Sequence, residues 1–477
     1  MIAQPKLHRI ALGVILLASQ PHGPVFAQQT DSLDARKSLF ITDRSLVAAF
    51  RFERVMSALV RDTPNTTPLM LFRQMIDTQN PAPGLSGITT GPFCDDEQTD
   101  GRATRDGFPI ECPSLEGVFA TSNPFVDYPE DPIVADAGSN NAFIPIALVN
   151  RFDLALADGS TCGRYSIIFA RRAGVLVSAD RFLIALEAEI PNPTPAMGLA
   201  ACRPIAQLWA NLSKQSLDQR RFALEQFYFS GIDPFPAVVS AANFAPPGGG
   251  RIRTNQFHLV GKPSGVPFQA WRLYQFQLVQ QCHDTGVCEA QMIPRPLPGT
   301  PSARLLNTSD NDSRGGEFRE QLLSQLPGLL GRDLARFSVE YSGKFLMFES
   351  NAFDQGIDHQ IPLQFKASLN TAEGQRFANR IQEQLTIAGS GLTPEQVVNR
   401  AWSQSCGGCH NTAAGADIGD GAIWPKALQF THVGEQFFEF ENGEEGPGTR
   451  YGISPAVREF FLPSRLRNLQ NFLLQTQ

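Results

Sequence analysis

The placement of eight cysteines constrains this chain more than any other feature of its 477 residues. They are Cys94, Cys112, Cys162, Cys202, Cys282, Cys288, Cys406 and Cys409. What they can do depends on the compartment, and the chain's start speaks to that. MIAQPKLHRIALGVILLASQPHGPVFAQQT carries Lys6 and Arg9, then an apolar run from Ile10 to Ala18, then Val25 and Ala27 before a cleavage point. This is the pattern of a secretory signal peptide over residues 1–27. The apolar run is about half the ~20 residues that a membrane-spanning helix needs. No cysteine lies near the cut to take a lipid, and no later stretch approaches 18 apolar residues. The sequence therefore predicts an exported protein, periplasmic or secreted, with no stable membrane span.

In an oxidising compartment an even cysteine count implies disulfides. Neighbours in sequence close the shortest loops, so the expected pairs are Cys94–Cys112, Cys162–Cys202 and Cys282–Cys288. Each contributes about 3 kcal/mol in the chain-entropy account.

Between the cysteines the patterning is mixed. Helical spacing runs over Leu46–Val60, Pro68–Asp77, Pro204–Lys214, Leu217–Phe229 with Ser216 as cap, and Glu317–Leu330. Short apolar or alternating runs mark strands: FIPIALVNRFDL, RYSIIFARR, RFLIALEAEI, RTNQFHLV and WRLYQFQLVQQ, with KFLMFES as a short strand or helix. Residues 78–142 and 293–316 are rich in turn formers. Phe outnumbers Tyr and Trp, 35 against 6 and 4, so the core is built from rings without a polar handle. From about residue 370 the pattern turns helical. Phe377, Ile381 and Leu385 fall on one face, and Thr393-Pro394-Glu395-Gln396 has the form of a capped helix start. Ser454-Pro455 opens an amphipathic tail. The predicted organisation is a signal peptide (1–27), a disulfide-bonded α+β body (28–369) and an all-α C-terminal domain (370–477).

The last two cysteines stand in Cys406-Gly407-Gly408-Cys409-His410, directly after the helix that begins at Pro394. C-x-x-C-H is the attachment signature of c-type haem. Two thiols three positions apart can each bond one former vinyl group of a porphyrin, and the next residue sets an imidazole under the iron. Gly407 and Gly408 let the backbone pass close to the ring edge. A Cys406–Cys409 disulfide is the plainest alternative. A thioredoxin-like site expects a βαβ context that the pattern lacks, and a zinc site needs a second ligand pair.

On these residues the C-terminal region resembles the cytochrome c family, over about residues 370–477. The resemblance implies one covalent haem c, with Cys406 and Cys409 as attachment thiols and His410 as proximal iron ligand. It also implies that the leading and terminal helices cross beside the haem. The body, with VNRFDLALADGSTCGRYSIIFARR, resembles uncharacterised secreted bacterial proteins and implies no activity. The family's distal Met has no counterpart, since no Met follows His410. His432 is the later candidate for the metal. Met347 or His359 reaching in from the body, or an open sixth position, are the other readings. Trp402, Trp424 and Phe430 are candidate pocket walls or ordinary core.

Other signals carry less. Cys282-His283-Asp284 reads as a local disulfide rather than a metal site. Asp310–Gly315 is a poor calcium loop, because Arg314 occupies a ligand position. GKPSG at 261–265 lacks phosphate-loop spacing, and His258 sits in an alternating strand. Glu435, Glu439, Glu441, Glu444 and Glu445 read as a solvated acidic surface or a steering patch for a basic partner. Lys and Arg total 40 against 47 Asp and Glu, a net charge of −7. That balance, with no long basic run, excludes a nucleic-acid binder.

The function expected from these residues is periplasmic electron transfer by a monohaem protein, with a redox partner protein or a small-molecule donor or acceptor. Two alternatives stand beside it. One is a haem-dependent, peroxidase-like periplasmic oxidoreductase with an open iron position. The other is a secreted, disulfide-stabilised binding protein without haem.

Overall fold

The computed structural model describes residues 33–75, 97–99, 102–110, 133–245, 249–260, 268–282, 288–351, 360–440, 442 and 448–475. The expected signal peptide, the expected Cys94–Cys112 pair, His283, His359, the GKPSG loop and Glu441, Glu444 and Glu445 lie outside the described residues.

An antiparallel sheet organises the molecule. Its strands are β1 (Phe40–Ile41), β2 (Phe143–Arg151), β3 (Thr161–Arg171), β4 (Phe182–Pro191), β5 (Arg251–Val260), β6 (Phe268–Cys282) and β7 (Cys288–Pro294), hydrogen-bonded in that order. The long β6 also pairs with β8 (Glu349–Asn351). His258 lies on β5, opposite Ala270. Successive side chains on a strand point to opposite faces, and the sequence uses this. On β4, Phe182, Ile184, Leu186, Ala188 and Ile190 are all buried, whereas Leu183, Ala185 and Glu187 line a cavity on the other side.

The apolar face is rich in aromatic rings. Phe52 of α1 (Phe52–Leu59) meets Phe143 and Phe169 at centroid distances of 5.0 Å. Tyr165 stacks on Trp209 of α3 (Arg203–Asn211) and meets Phe227 of α4 (Leu217–Phe229) edge-on. Between α1 and α3 lies α2 (Pro68–Arg73), capped by Thr67. Helix α4 starts as its sequence predicts: Ser216 Oγ accepts from Gln219 N, and Gln219 reaches back to Ser216 N. The helix predicted over Leu46–Val60 is two pieces, Arg44–Val47 and α1.

Two of the expected disulfides form. Cys162–Cys202 ties β3 to the start of α3, and Cys282–Cys288 closes the turn between β6 and β7. Among the described residues no helix is long and apolar enough to cross a membrane. Both findings are compatible with an exported protein.

A second core gathers helices α5 (Gly315–Ser324), α6 (Ile361–Ser368), α7 (Ala372–Ile387) and α8 (Pro394–Trp402). Phe377, Ile381 and Leu385 are buried in it, as their spacing predicts. The helix expected over Glu317–Leu330 stops at Ser324 and passes into a 3-10 turn at Leu326–Leu329. Nearby, Asp310 and Asp312 pair with Arg304 and Arg314, so the loop from Asp310 is an ion-pair cluster.

The all-α C-terminal domain is overturned, and with it the fold class assigned on its account. The protein is mixed α and β throughout, with strands β9 (Asp417–Gly419), β10 (Ala422–Ile423), β11 (Val433–Glu439) and β12 (Arg450–Ile453) ahead of the final helix α9 (Leu462–Gln475). Gly415, Gly419 and Gly421 all have positive φ, as does Asp420, and they turn the chain into the β9–β10 hairpin instead of a helix. Helix α9 packs mainly on α3 and on the Phe152–Leu154 turn of the body, with Phe472 4.7 Å from Phe152. Val433, Tyr451, Ile453 and Leu469 share one core with the large sheet.

The acidic surface also needs correction. Glu435 and Glu439 are fully buried. Glu435 pairs with Arg181, and Glu439 with Arg36 and Arg458. An ionised carboxylate is tolerated inside only with such partners.

Candidate functional site

Helix α8 delivers the cysteine motif to the polar face of the sheet. Thr393 and Gln396 form the expected capping box, and Pro394 holds the first turn. Arg400 is buried and donates to the carbonyls of Ile418, Leu329 and Gly331 and to Asp420, tying α8 to the β9–β10 hairpin. After Trp402 the chain turns sharply. Ser405 Oγ donates to the Trp402 carbonyl and accepts from Gly408 N–H. A Cβ at Gly408 would collide with that same carbonyl. Glycine is thus required at 408 by the helix end, a reason different from access to a porphyrin edge. Cys406 N–H donates to Thr300 Oγ1 of the body at 3.0 Å.

Cys406 and Cys409 are thiols, whereas Cys162, Cys202, Cys282 and Cys288 are in disulfides. Burial, with Cys406 adding to it, pushes the Cys409 thiol up to about 12 against the pull of Arg465, Arg151 and Arg253. A nucleophilic or redox-exchanging cysteine has the opposite shift, so Cys409 is not set up as a reactive thiolate.

His410 follows within a one-turn π-helix, Gly408–Thr412. Its Nδ1 lies 2.8 Å from the carbonyl oxygen of Phe430. A carbonyl only accepts, so Nδ1 carries the proton and Nε2 keeps a lone pair. Burial holds His410 down to about 4, with the Phe430 bond opposing and Arg253 assisting. The ring stacks on Trp271 at 5.7 Å, and Trp271 stacks in turn on Phe430 at 4.9 Å. His432 also stands beside Cys409. Its Nδ1 is 3.0 Å from Ser454 Oγ and its Nε2 is 3.4 Å from Cys409 Sγ. Burial, then the nearby His410, Arg465 and Arg151, keep it well below the usual imidazole range. Both imidazoles are therefore neutral at pH 7. Their ring centroids are 4.8 Å apart.

These side chains open into a cavity of about 620 Å³ floored by the sheet. Strand alternation sends Arg151 of β2, Glu187 of β4 and Arg251 and Arg253 of β5 to the same face, and Arg465 of α9 comes down from above. Arg151 is paired bidentately with Asp153. Glu187 serves both Arg251 and Arg253, at 3.0 and 3.3 Å. Arg465 has Asp153 at 3.9 Å, and its side chain is 12 % exposed. Guanidiniums outnumber carboxylates. Burial and the neighbouring Arg151 accordingly push Arg465 down to about 9, and burial and Arg253 do the same to Arg251. Trp424 also lines the cavity, and its buried Nε1–H meets no acceptor among the described residues.

Haem fits this donor set. Two thiols, a neutral imidazole with its Nε2 lone pair, a second neutral imidazole and an arginine-rich wall suited to acidic side chains face one space within the usual 300–1,000 Å³ of a ligand pocket. Among the described residues no three His, Cys, Asp or Glu side chains converge as a cage for a bare metal ion.

Of the candidate walls, Trp424 lines the cavity, Phe430 contributes its carbonyl and ring stack, and Trp402 packs in the second core. Met347 is buried in that second core and is not a cavity residue. Sequence reading missed Trp271, Ser454 and the arginine group. The one available signal was charge inside strands: Arg251 and Arg253 alternate within β5, and Arg151 ends the largely apolar β2. No known family model matches the chain, and no curated protein or solved structure is detectably similar to it.

Proposed function

We propose that this protein is an exported c-type haem protein of the periplasm that transfers single electrons. Cys406 and Cys409 would hold the haem as thioethers and His410 Nε2 would bind its iron. Bound there, haem supplies a one-electron ferric–ferrous couple. The observation that carries the reading is the His410–Phe430 hydrogen bond, in a cavity shared with two thiols and a second imidazole. A histidine ligating a metal almost always donates its other ring N–H, which fixes the ring and raises its basicity.

The rest of the site follows from the chain's own groups. Arg465, Arg151 and Arg253 place positive charge on the cavity wall, which would attract the acids of a porphyrin. Trp271, itself backed by the Phe430 ring, would fix the orientation of the His410 ring by stacking on it. The apolar walls Leu183, Ala185, Val433 and Phe461 exclude water. The partner would be a protein or a small molecule that delivers or takes an electron.

The decisive experiment is a haem stain after denaturing electrophoresis, on protein matured in a host with haem-ligation machinery. A stained band with a Soret absorbance is expected, weakened or lost in Cys409→Ala. Colourless wild-type protein of unmodified mass would end the proposal.

A second reading, a haem oxidoreductase with an open iron position, is favoured by one distance. Two imidazoles binding one metal from opposite sides at about 2.0 Å each hold their ring centres roughly 6 Å apart. His410 and His432 are closer than that, at 4.8 Å. Cyanide or carbon monoxide binding by the native protein would support this reading, and an unresponsive low-spin spectrum would support electron transfer.

A further inference from the structure

The backbone that presents the Phe430 carbonyl is unusual. Leu428 and Thr431 exchange two backbone hydrogen bonds, of 2.7 and 3.1 Å. Between them Gln429 and Phe430 both have positive φ, +48° and +66°. Two successive left-handed residues make a type I′ turn, which ordinarily takes Asn-Gly or Gly-Gly because a Cβ is crowded there. Neither residue here is a glycine, an asparagine or an aspartate. A bulky side chain held at positive φ persists only where its surroundings enforce it.

The enforcing group is Arg181, just before β4. Its side chain is fully buried. Nη1 donates to the Gln429 carbonyl at 3.1 Å, and Nη2 to Thr431 Oγ1 at 3.1 Å. Nε and Nη2 also donate to Glu435, at 2.7 and 3.3 Å. The guanidinium lies 4.4 Å from the centre of the Phe257 ring. Gly174 makes room for the pair: a Cβ there would meet Arg181 Cα at 2.8 Å and Glu435 Oε1 at 3.1 Å. One planar fork thus grips the residues on both sides of Phe430, and the Phe430 ring stacks on Trp271.

We infer that Arg181 is a positioning residue for His410. Braced by Glu435, it holds Gln429 and Phe430 in the left-handed turn, and so keeps the Phe430 carbonyl on His410 Nδ1–H. This rests on His410 being an iron ligand, as proposed above. The hydrogen bond makes Nε2 a stronger donor, which favours ferric iron. Loosening the turn should therefore raise the midpoint potential.

The test uses the full-length haem protein. Arg181→Gln alone would strand a buried carboxylate, so the variant to make is Arg181→Gln with Glu435→Gln. It is expected to keep the haem stain and the far-ultraviolet circular dichroism. Its ferric–ferrous equilibrium should move about tenfold toward ferrous, which is 59 mV for a one-electron couple. Adding Gln429→Gly, which removes the strain at one of the two left-handed positions, should return much of that shift. A merely structural role would lower stability without this rescue. An unchanged potential in the double variant, or no recovery with glycine, would overturn the inference. Should the double variant fail to fold, Arg181→Lys, which keeps the charge but not the fork, is expected to give an intermediate shift, and wild-type potential there would count against us. If every preparation is colourless, the haem reading has failed instead. The inference is then decided by nitrogen-15 NMR: the His410 Nδ1–H signal should be protected in wild type, lost in the double variant and regained with glycine.

Discussion

Cys409 Sγ and His432 Nε2 lie 3.4 Å apart, and Cys409 is followed directly by His410. The second imidazole therefore sits against the attachment sulfur and within 4.8 Å of the first ring. A thioether at Cys409 would take away the thiol and free the His432 lone pair. Whether His432 then reaches the iron decides between electron transfer and an open catalytic site. His432→Ala should turn a low-spin spectrum into a high-spin one that binds cyanide, if His432 is the sixth ligand. The same spectrum before and after the substitution would remove His432 from the iron.

Glu187 ties the cavity floor together and makes it acid-sensitive. Burial alone would raise its pKa, but Arg253, Arg251, Arg164 and Arg151 outweigh it and hold the group at about 2. Its folded value lies below its unfolded one of about 4.5. Its contribution is therefore fully present above pH 4.5 and is lost as the pH falls toward 2. Glu187→Gln leaves two guanidiniums without their shared carboxylate, which should cost on the order of 3–5 kcal/mol at pH 7. Urea melts at pH 7 and pH 3 would check this. The difference between variant and wild type should shrink at the lower pH.

These groups also show where sequence reading succeeds and where it stops. Local features were legible: short apolar strand runs at Phe143–Arg151 and Phe182–Pro191, the caps at Ser216 and Thr393, and two disulfides between neighbours in sequence. Each depends on residues close along the chain. The C-terminal strands were not legible, because a helix leading into Cys406 and an amphipathic tail drew the whole region toward a helical family. Glu435 and Glu439 read as solvent-facing because their cationic partners are remote. Arg181 lies 254 residues before Glu435. The His410–Phe430 bond depends on a turn braced by that same distant pair, and no local pattern encodes it.

The Cys162–Cys202 bridge should be the costlier disulfide to lose. It spans 40 residues against 6 for Cys282–Cys288, and a longer closed loop removes more unfolded-state entropy. Replacing Cys162 and Cys202 together by alanine is expected to cost about 2–5 kcal/mol. The matching change at Cys282 and Cys288 should cost less. Denaturant melts of the two double variants make the comparison, and the reverse order would refute the loop-length argument.

Arg465 offers a test in which the sign of the effect depends on the cavity's occupant. The cavity's guanidiniums outnumber its carboxylates, and Arg465 is the one held least closely, with Asp153 at 3.9 Å. In haem-free protein, Arg465→Leu removes a buried like-charge repulsion with Arg151 and trades the cation over the Phe461 ring, 5.5 Å from its centre, for an aliphatic side chain. That form should gain about 1 kcal/mol, since replacing poorly paired buried charge by apolar groups is commonly neutral or stabilising. In haem-loaded protein the same substitution takes a cation away from the acids of the porphyrin and should lower stability by a similar amount. The haem-free form is obtained with Cys406→Ala and Cys409→Ala, so two pairs of thermal melts suffice. Shifts of opposite sign support an anionic group seated against Arg465, whereas equal shifts would show that the arginine serves only the fold.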